Sequence, residues 1–324
     1  MEGFKLYSHT ELLAITNIRD GEVKIGQKMQ TVNSLEEIDR SNAQFVVLGI
    51  PEDYGVRANH GIAGTAGAWE AFLKTLVNVQ SNAFLTGHEL LLLGHFEFET
   101  PQEDSLEAYS AKVAAIDDLV YPVIRRIIET GKVPIIIGGG HNNAYPIIKG
   151  FSLARGKAVD VINIDAHADL RSTGFRHSGN AFSYAIKDGY LDNYGIFGLQ
   201  ENYNNAEVIR KIESSDNISC IYFDELVKTS DHTAVWSDFN KPFDFRMGLE
   251  IDLDAIENML SSAATPSGFT LNDVRRMVLN TKKKLSYLHL AEGAVALSDG
   301  RTDQSTAKAL VYLATDFIKA QSNS

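Results

Sequence analysis

The sequence predicts an α/β fold built on a mostly parallel β-sheet. Two observations carry this: eight short β-rich runs, most of them apolar throughout, and helical periodicity in the segments between them. A parallel sheet is covered by helices on both faces, so its strands read as continuous apolar runs rather than alternating ones. The runs are FVVLGIP (45–51), LLLLG (90–94), VPIIIGGG (133–140), VDVINID (159–165), YGIFGL (194–199), SCIYF (219–223), RMGLEIDLD (246–254) and LSYLHLAE (285–292). The clearest helix covers about 106–130, where Ile116, Leu119, Val120, Val123, Ile124, Ile127 and Ile128 recur at i, i+3 and i+4. Gly131 follows as its stop, and Pro122 is expected to kink it. Another helix covers roughly 304–320, with Ala307, Leu310, Ala314, Phe317 and Ile318 on its inner face. No repeat or Pro/Gly-rich linker interrupts the chain, so residues 1–324 are expected to form a single domain. Doubly wound sheets bind ligands at the carboxyl ends of their strands, and that is where the polar chemistry of this sequence lies.

Composition narrows the function classes. Hydrophobic residues make up 44% and charged residues 22% of the chain, as expected of a soluble protein with a substantial core. A formal charge of −12 argues against nucleic acid or an anionic membrane as partner, since both need a basic footprint. An anionic substrate would need a local arginine or lysine. Cys220, the one cysteine, rules out an internal disulfide framework and any multi-cysteine metal site, and its apolar surroundings suggest a packed thiol. The N-terminus lacks signal-peptide character, and no apolar run approaches the ~20 residues that span a bilayer. A reducing, cytoplasmic setting is the expectation.

Three strand ends carry metal-binding side chains. Asp165, His167 and Asp169 fall at every second position after one apolar run, so in an extended segment all three share a face. Asp252 and Asp254 repeat the device, and His141 follows three glycines that allow close backbone approach. A lone D-x-D is as often a turn or helix cap as a ligand pair, and a lone H-x-D can be a surface pair. Two imidazoles and four carboxylates at the ends of three buried strands are harder to dismiss. That many anionic donors suit two divalent ions sharing carboxylates. An oxygen-rich set without thiolates favours Mn²⁺ or Mg²⁺, and imidazole tilts the choice to Mn²⁺. Such a pair performs hydrolytic chemistry.

GGGH (138–141), DAHAD (165–169) and EIDLD (250–254), in this order, resemble the three signatures of the arginase/agmatinase/formimidoylglutamase (ureohydrolase) family. The resemblance begins at LGIPEDYGVRANHGIAGTAGAWEAF (48–72) and leaves about the first 40 residues as an N-terminal extension. It implies a three-layer α/β/α sandwich and two Mn²⁺ ions held by His141, Asp165, His167, Asp169, Asp252 and Asp254. It also implies attack by a metal-bridging hydroxide on the carbon of a small amidine or guanidine substrate, with Asp169 counted among the catalytic residues. Glu292, after the last strand, takes the place of the family's glutamate near the amidine nitrogens; a carboxylate there can accept two hydrogen bonds from a planar amidinium. Relatives commonly form homo-oligomers.

Departures from the pattern point to one branch. Gly140 stands where arginases and agmatinases carry aspartate in G-G-D-H, and Ser178 stands where they carry a proton-shuttling histidine. Both resemble formimidoylglutamases; His177, one position earlier, is a candidate substitute for the shuttle. Gln200 and Tyr203 replace the acidic residues that grip arginine's α-amino group, which weakens an arginase reading. The loop 254–270 lacks the usual prolines and glycines. The resemblance therefore implies hydrolysis of N-formimidoyl-L-glutamate to L-glutamate and formamide, a step of histidine degradation. That substrate's two carboxylates require cations or amides, and Arg57, Arg171, Arg176 and Asn180 lie in loops beside the motifs, with Arg176 the foremost candidate. The alternatives are another amidine or guanidine hydrolase (agmatinase, guanidinobutyrase or arginase) and a catalytically silent metal-binding relative.

Overall fold

The computed structural model describes residues 3–229 and 231–322. Among them, nine strands form one sheet: β1 (Phe4–Leu6), β2 (Phe45–Gly49), β3 (Leu90–Phe96), β4 (Val133–Ile137), β5 (Val159–Ile164), β6 (Leu191–Leu199), β7 (Ile218–Tyr222), β8 (Arg246–Asp252) and β9 (Lys284–Ala291). Their spatial order is β1-β3-β2-β4-β9-β8-β5-β6-β7. Every pairing is parallel except β1 against β3. All eight expected strands are present. β1 adds a ninth at the edge, and Cys220 lies half-buried on the opposite edge strand, β7.

The continuous apolar runs have the expected cause. In β2, Phe45 and Val47 pack on one side of the sheet while Val46 and Leu48 pack on the other; Ile135 and Ile137 of β4 oppose Ile136 in the same way. Helices Ala68–Leu76, Leu271–Asn280 and Ser305–Ser322 cover the first face. Helices Leu106–Glu129, Ala144–Arg155 and Ala181–Lys187 cover the second. The result is a three-layer α/β/α sandwich.

The Leu106–Glu129 helix shows how the sequence sets an element. Ser105 caps it by accepting the Ala108 N–H, and Gly131, at φ +78°, ends it with its N–H bonded to the Ile128 carbonyl. Val113, Ile116, Val120, Val123, Ile124 and Ile127 are wholly buried, each contributing ~1.5–3 kcal/mol relative to exposure. The helix continues through Pro122 for all of its 24 residues. Beside that proline, Gly150 of the neighbouring helix comes so close that a Cβ would lie 2.7 Å from the Tyr121 carbonyl oxygen. Only glycine permits that approach.

The topology places the site. β4, β9, β8 and β5 are consecutive neighbours at the centre of the sheet, and their carboxyl ends lead into His141, Glu292, the Asp252/Asp254 pair and the Asp165–Asp169 run.

Candidate metal centre

His141 Nδ1 sits at the focus of three carboxylates, 3.1 Å from Asp169 Oδ2, 3.1 Å from Asp252 Oδ2 and 3.2 Å from Asp165 Oδ2. On the other side of Asp165, His167 Nδ1 lies 3.0 Å from Asp254 Oδ2 and 3.7 Å from Asp165 Oδ1. Two groups of donors result, His141–Asp165–Asp169–Asp252 and Asp165–His167–Asp254, with Asp165 common to both. The structure thus brings all six expected ligand candidates together. His141 Nδ1 and Asp254 Oδ1 are buried without a partner in hydrogen-bond geometry among the described residues. Each would gain most from a cation, because an unpaired buried polar atom costs roughly 1–3 kcal/mol.

Local backbone aims these side chains. Asp165 Oδ1 accepts the His167 N–H at 2.7 Å, and Asp252 Oδ1 accepts the Asp254 N–H at 2.8 Å. Each D-x-[HD] turn therefore fixes itself. Asp169 (φ +49°) and Glu292 (φ +61°) occupy left-handed backbone that non-glycine residues rarely adopt. Such strain, on the order of 1–3 kcal/mol per residue, concentrates at functional sites. Glu292 Oε1 accepts the His141 N–H at 2.8 Å, tying two strand ends together.

The electrostatics are those of crowded acid. Burial, and then Asp254 and Asp169, push the Glu292 carboxyl up to about 8 against the pull of His141 and its N–H. Burial and the neighbouring Asp254 and Asp165 raise Asp252 well above its ordinary range. Burial opposes charge on His167, yet Asp254 and Asp165 hold its imidazole up near 12. Negative charge in excess of the imidazoles is what divalent cations neutralise.

Behind the donors lies a layer that motif reading did not assign. Glu250 is fully buried; its Oε1 accepts the Tyr287 hydroxyl at 2.8 Å, its Oε2 meets His289 Nδ1 at 2.6 Å, and His141 Nε2 lies 3.5 Å away. Glu52 accepts the N–H groups of Tyr54, Gly55 and Gly140 and the side-chain amides of Asn142 and Asn143. It pins the glycine loop that delivers His141. At Gly139, φ is +78° and a Cβ would lie 2.3 Å from Asn143 Nδ2, so this position of the loop requires glycine. The available signal for Glu250 was a glutamate inside an apolar strand, LEIDL; Glu52, in PEDYG after β2, carried no such signal.

A cleft of about 250 Å³ opens over the cluster. Asp169, Asp252, Asp254, His167 and Glu292 form its inner wall, and Asn59, Arg171, Ser178, Tyr203, Asn205 and Ser262 belong to its outer wall. Ser178 lies at the cleft. So do Ser262 and Ala263 of the atypical 254–270 loop, and Tyr203, whose ring stacks on His167. Gln200 instead donates to the Ser267 carbonyl.

Four of the expected site residues lie away from this cleft and are engaged elsewhere. Arg176 is 6% exposed and fully engaged: Nε and Nη2 grip Asp117 at 2.8 and 2.9 Å, Nη2 also donates to the Asn142 carbonyl, and Nη1 donates to Asn180. It fastens a loop and does not line the cleft. Asn180 is spent likewise, accepting from Arg176 and the His177 N–H and donating to the Ser172 and Phe175 carbonyls. Arg57 pairs with Asp53 and donates to Tyr109, beside a separate shallow depression. His177 accepts the Gly179 N–H on Nδ1 and faces another depression; burial, with Arg171, Arg176 and His60 nearby, lowers its imidazole to about 4. The arginine at the cleft is Arg171.

Comparison with known proteins identifies relatives of this chain and of its fold. A formimidoylglutamase of Salmonella heidelberg (strain SL476) is 30% identical over 263 residues, covering 77% of each chain. The formimidoylglutamase of Bacillus subtilis superposes with a TM-score of 0.76 at 16% identity, covering 95% of each chain. A Trypanosoma cruzi formiminoglutamase solved with Mn²⁺ superposes at 0.72 and 20% identity, covering 92% of this chain and 98% of its own. The profile of the Arginase family matches residues 43–318, a span that starts just before β2 and ends in the last helix, and the chain belongs to that family.

Proposed function

We propose that this arginase-family protein is a two-ion hydrolase of N-formimidoyl-L-glutamate, releasing L-glutamate and formamide. The observation that carries the substrate class is the charge pattern of the cleft. Its carboxylates all belong to the inner wall, while the outer wall carries one guanidinium, Arg171, among neutral amides and hydroxyls. Such a rim suits a substrate with an amidine head and an anionic tail, and offers no carboxylate to pair with the cationic tail of agmatine.

The residues fit the metals. The donors are two imidazoles and four carboxylates without thiolate, in two groups sharing Asp165, which is the hard, mixed O/N set that Mn²⁺ accepts. We assign His141, Asp165, Asp169 and Asp252 to one ion and Asp165, His167 and Asp254 to the other. Bound divalent ions supply Lewis acidity and ionise water near neutral pH.

The chain's own residues do the rest. Glu292, with Oε1 held by the His141 N–H, keeps Oε2 to receive an amidinium N–H and orient the carbon under attack. Asp169, whose Oδ2 lies against His141, offers its other oxygen to take the nucleophile's proton and return it to the departing amine. Ser178 Oγ accepts from Asn59 at 3.2 Å, so its own proton is free to point at substrate. The buried floor excludes bulk water and strengthens each of these contacts.

The test is a panel of formimidoylglutamate, agmatine, arginine and 4-guanidinobutyrate with Mn²⁺-loaded protein. Turnover of formimidoylglutamate with the highest kcat/KM is expected. Silence on it together with turnover of another member overturns the assignment. 4-Guanidinobutyrate is the closest competitor, because its single carboxylate would also suit Arg171.

A further inference from the structure

Asn59 has no assigned role in the 48–72 segment that opens the family resemblance, yet it lies at the cleft between the two groups best placed to meet the substrate's tail. It follows the short Tyr54–Ala58 helix, whose end it caps with its N–H bonded to the Gly55 and Val56 carbonyls. Its Oδ1 accepts from Arg171 Nη1 at 2.9 Å and its Nδ2 donates to Ser178 Oγ at 3.2 Å. The amide orientation is forced, since a guanidinium can only donate and must face the oxygen. Gly179 makes room for the arrangement: a Cβ there would lie 3.1 Å from Asn59 Nδ2 and 3.2 Å from Arg171 Cδ. The Arg171 N–H is bonded to the Gly179 carbonyl, so the guanidinium and the serine are also joined through the main chain.

We infer that Asn59 is a specificity-determining residue that sets the cleft for an anionic tail. The inference rests on the proposed reading of the cleft and deepens it. By accepting from Arg171 without carrying charge, Asn59 orients the guanidinium and leaves its positive charge for the substrate. By donating to Ser178 Oγ, it occupies a lone pair and leaves the hydroxyl proton for the substrate. One amide thereby presents two donors, one of them cationic, to a carboxylate. An aspartate of the same shape would do the opposite on both counts: it would neutralise Arg171 and turn the Ser178 proton onto itself.

Asn59→Asp is therefore the test. It is isosteric, half-exposed and outside the donor cluster. With formimidoylglutamate, KM should rise about 10–100-fold, the worth of a hydrogen bond to a charged group, while kcat changes less than about 3-fold. The Ki of L-glutamate as product inhibitor should rise in parallel, and Mn²⁺ content should stay at the wild-type value. Asn59→Ala, which releases both partners without quenching either, should raise KM by less and covers the case in which the aspartate variant fails to fold. Unchanged KM and Ki in both variants overturns the inference, as does a loss confined to kcat or accompanied by loss of Mn²⁺. Wild-type protein assayed alongside separates the two claims: if it does not hydrolyse formimidoylglutamate, the proposed function fails, and if it does while the variants match it, only the role of Asn59 fails.

Discussion

Asp165 stands within reach of both His141 and His167, and its two oxygens are already aimed by the His167 N–H and the Asn163 amide. Asp165→Ala should therefore disable both donor groups, and Asp252→Ala one of them. Each should lower kcat by ~10²-fold or more, the scale of losing a preorganised electrostatic contact, while circular dichroism shows an intact fold. At the outer wall, Arg171→Ala should raise KM for formimidoylglutamate ~10–100-fold with kcat little changed, because the contact holds the tail in ground and transition state alike. His177 carries a pH prediction. Its folded-state value, about 4, lies below the ~6.5 of a free imidazole, so the unfolded chain binds the extra proton between those limits. Its contribution to stability is full above pH 6.5 and is lost as pH falls towards 4. His177→Asn, which keeps an acceptor for the Gly179 N–H, should show a shallower fall of the urea midpoint across that window. The ligand candidates were legible because histidine and aspartate gather where apolar strands end. The shared extended face that the spacing implied does not form: the Asp165–Asp169 run bends, Asp169 is left-handed at φ +49°, and Asp254 sits in a 3₁₀ turn. Which arginine lines the cleft was not legible: Arg176 is captured by Asp117, 59 positions away, and no local pattern announces such a pairing.

At the scale of elements, that pairing is what holds the cleft's rim. Asp117 on the Leu106–Glu129 helix anchors Arg176, which reaches the Asn142 carbonyl beside His141 and the Asn180 side chain in the loop that carries Ser178. Burial pushes the Asp117 carboxyl up to about 6 despite Arg176, leaving it ionised at neutral pH. Asp117→Ala would strand a buried guanidinium and should cost roughly 3–5 kcal/mol, read from urea denaturation. A loss under 1 kcal/mol would show that the pair is not the fastening described. Elements long enough to repeat a pattern were legible: all eight apolar strands, and the long helix ended by Gly131. β1 was not, since three residues with an exposed Lys5 carry no period to detect. Pro122, which the sequence reading expected to kink the helix, lies within its continuous 24 residues.

For the whole molecule, the decisive feature is strand order. The chain builds β2, β3 and β4, moves across to β5, β6 and β7, and only then inserts β8 and β9 into the central gap. The last two strands bring Asp252, Asp254 and Glu292 between His141 on one side and the Asp165–Asp169 run on the other. The sequence announced parallel strands and polar strand ends, but strand order depends on long-range packing and cannot be read from local periodicity. Among the described residues no helix is long and apolar enough to cross a membrane. The central prediction is that these four strand ends make one two-ion cage. The direct measurement is calorimetric titration of Mn²⁺ into metal-free protein, with metal content checked by elemental analysis. Two Mn²⁺ per chain in the wild type, reduced to none or one weakly held in Asp165→Ala, is the predicted result. One ion or none in the wild type, or two retained at unchanged affinity in the variant, would contradict it.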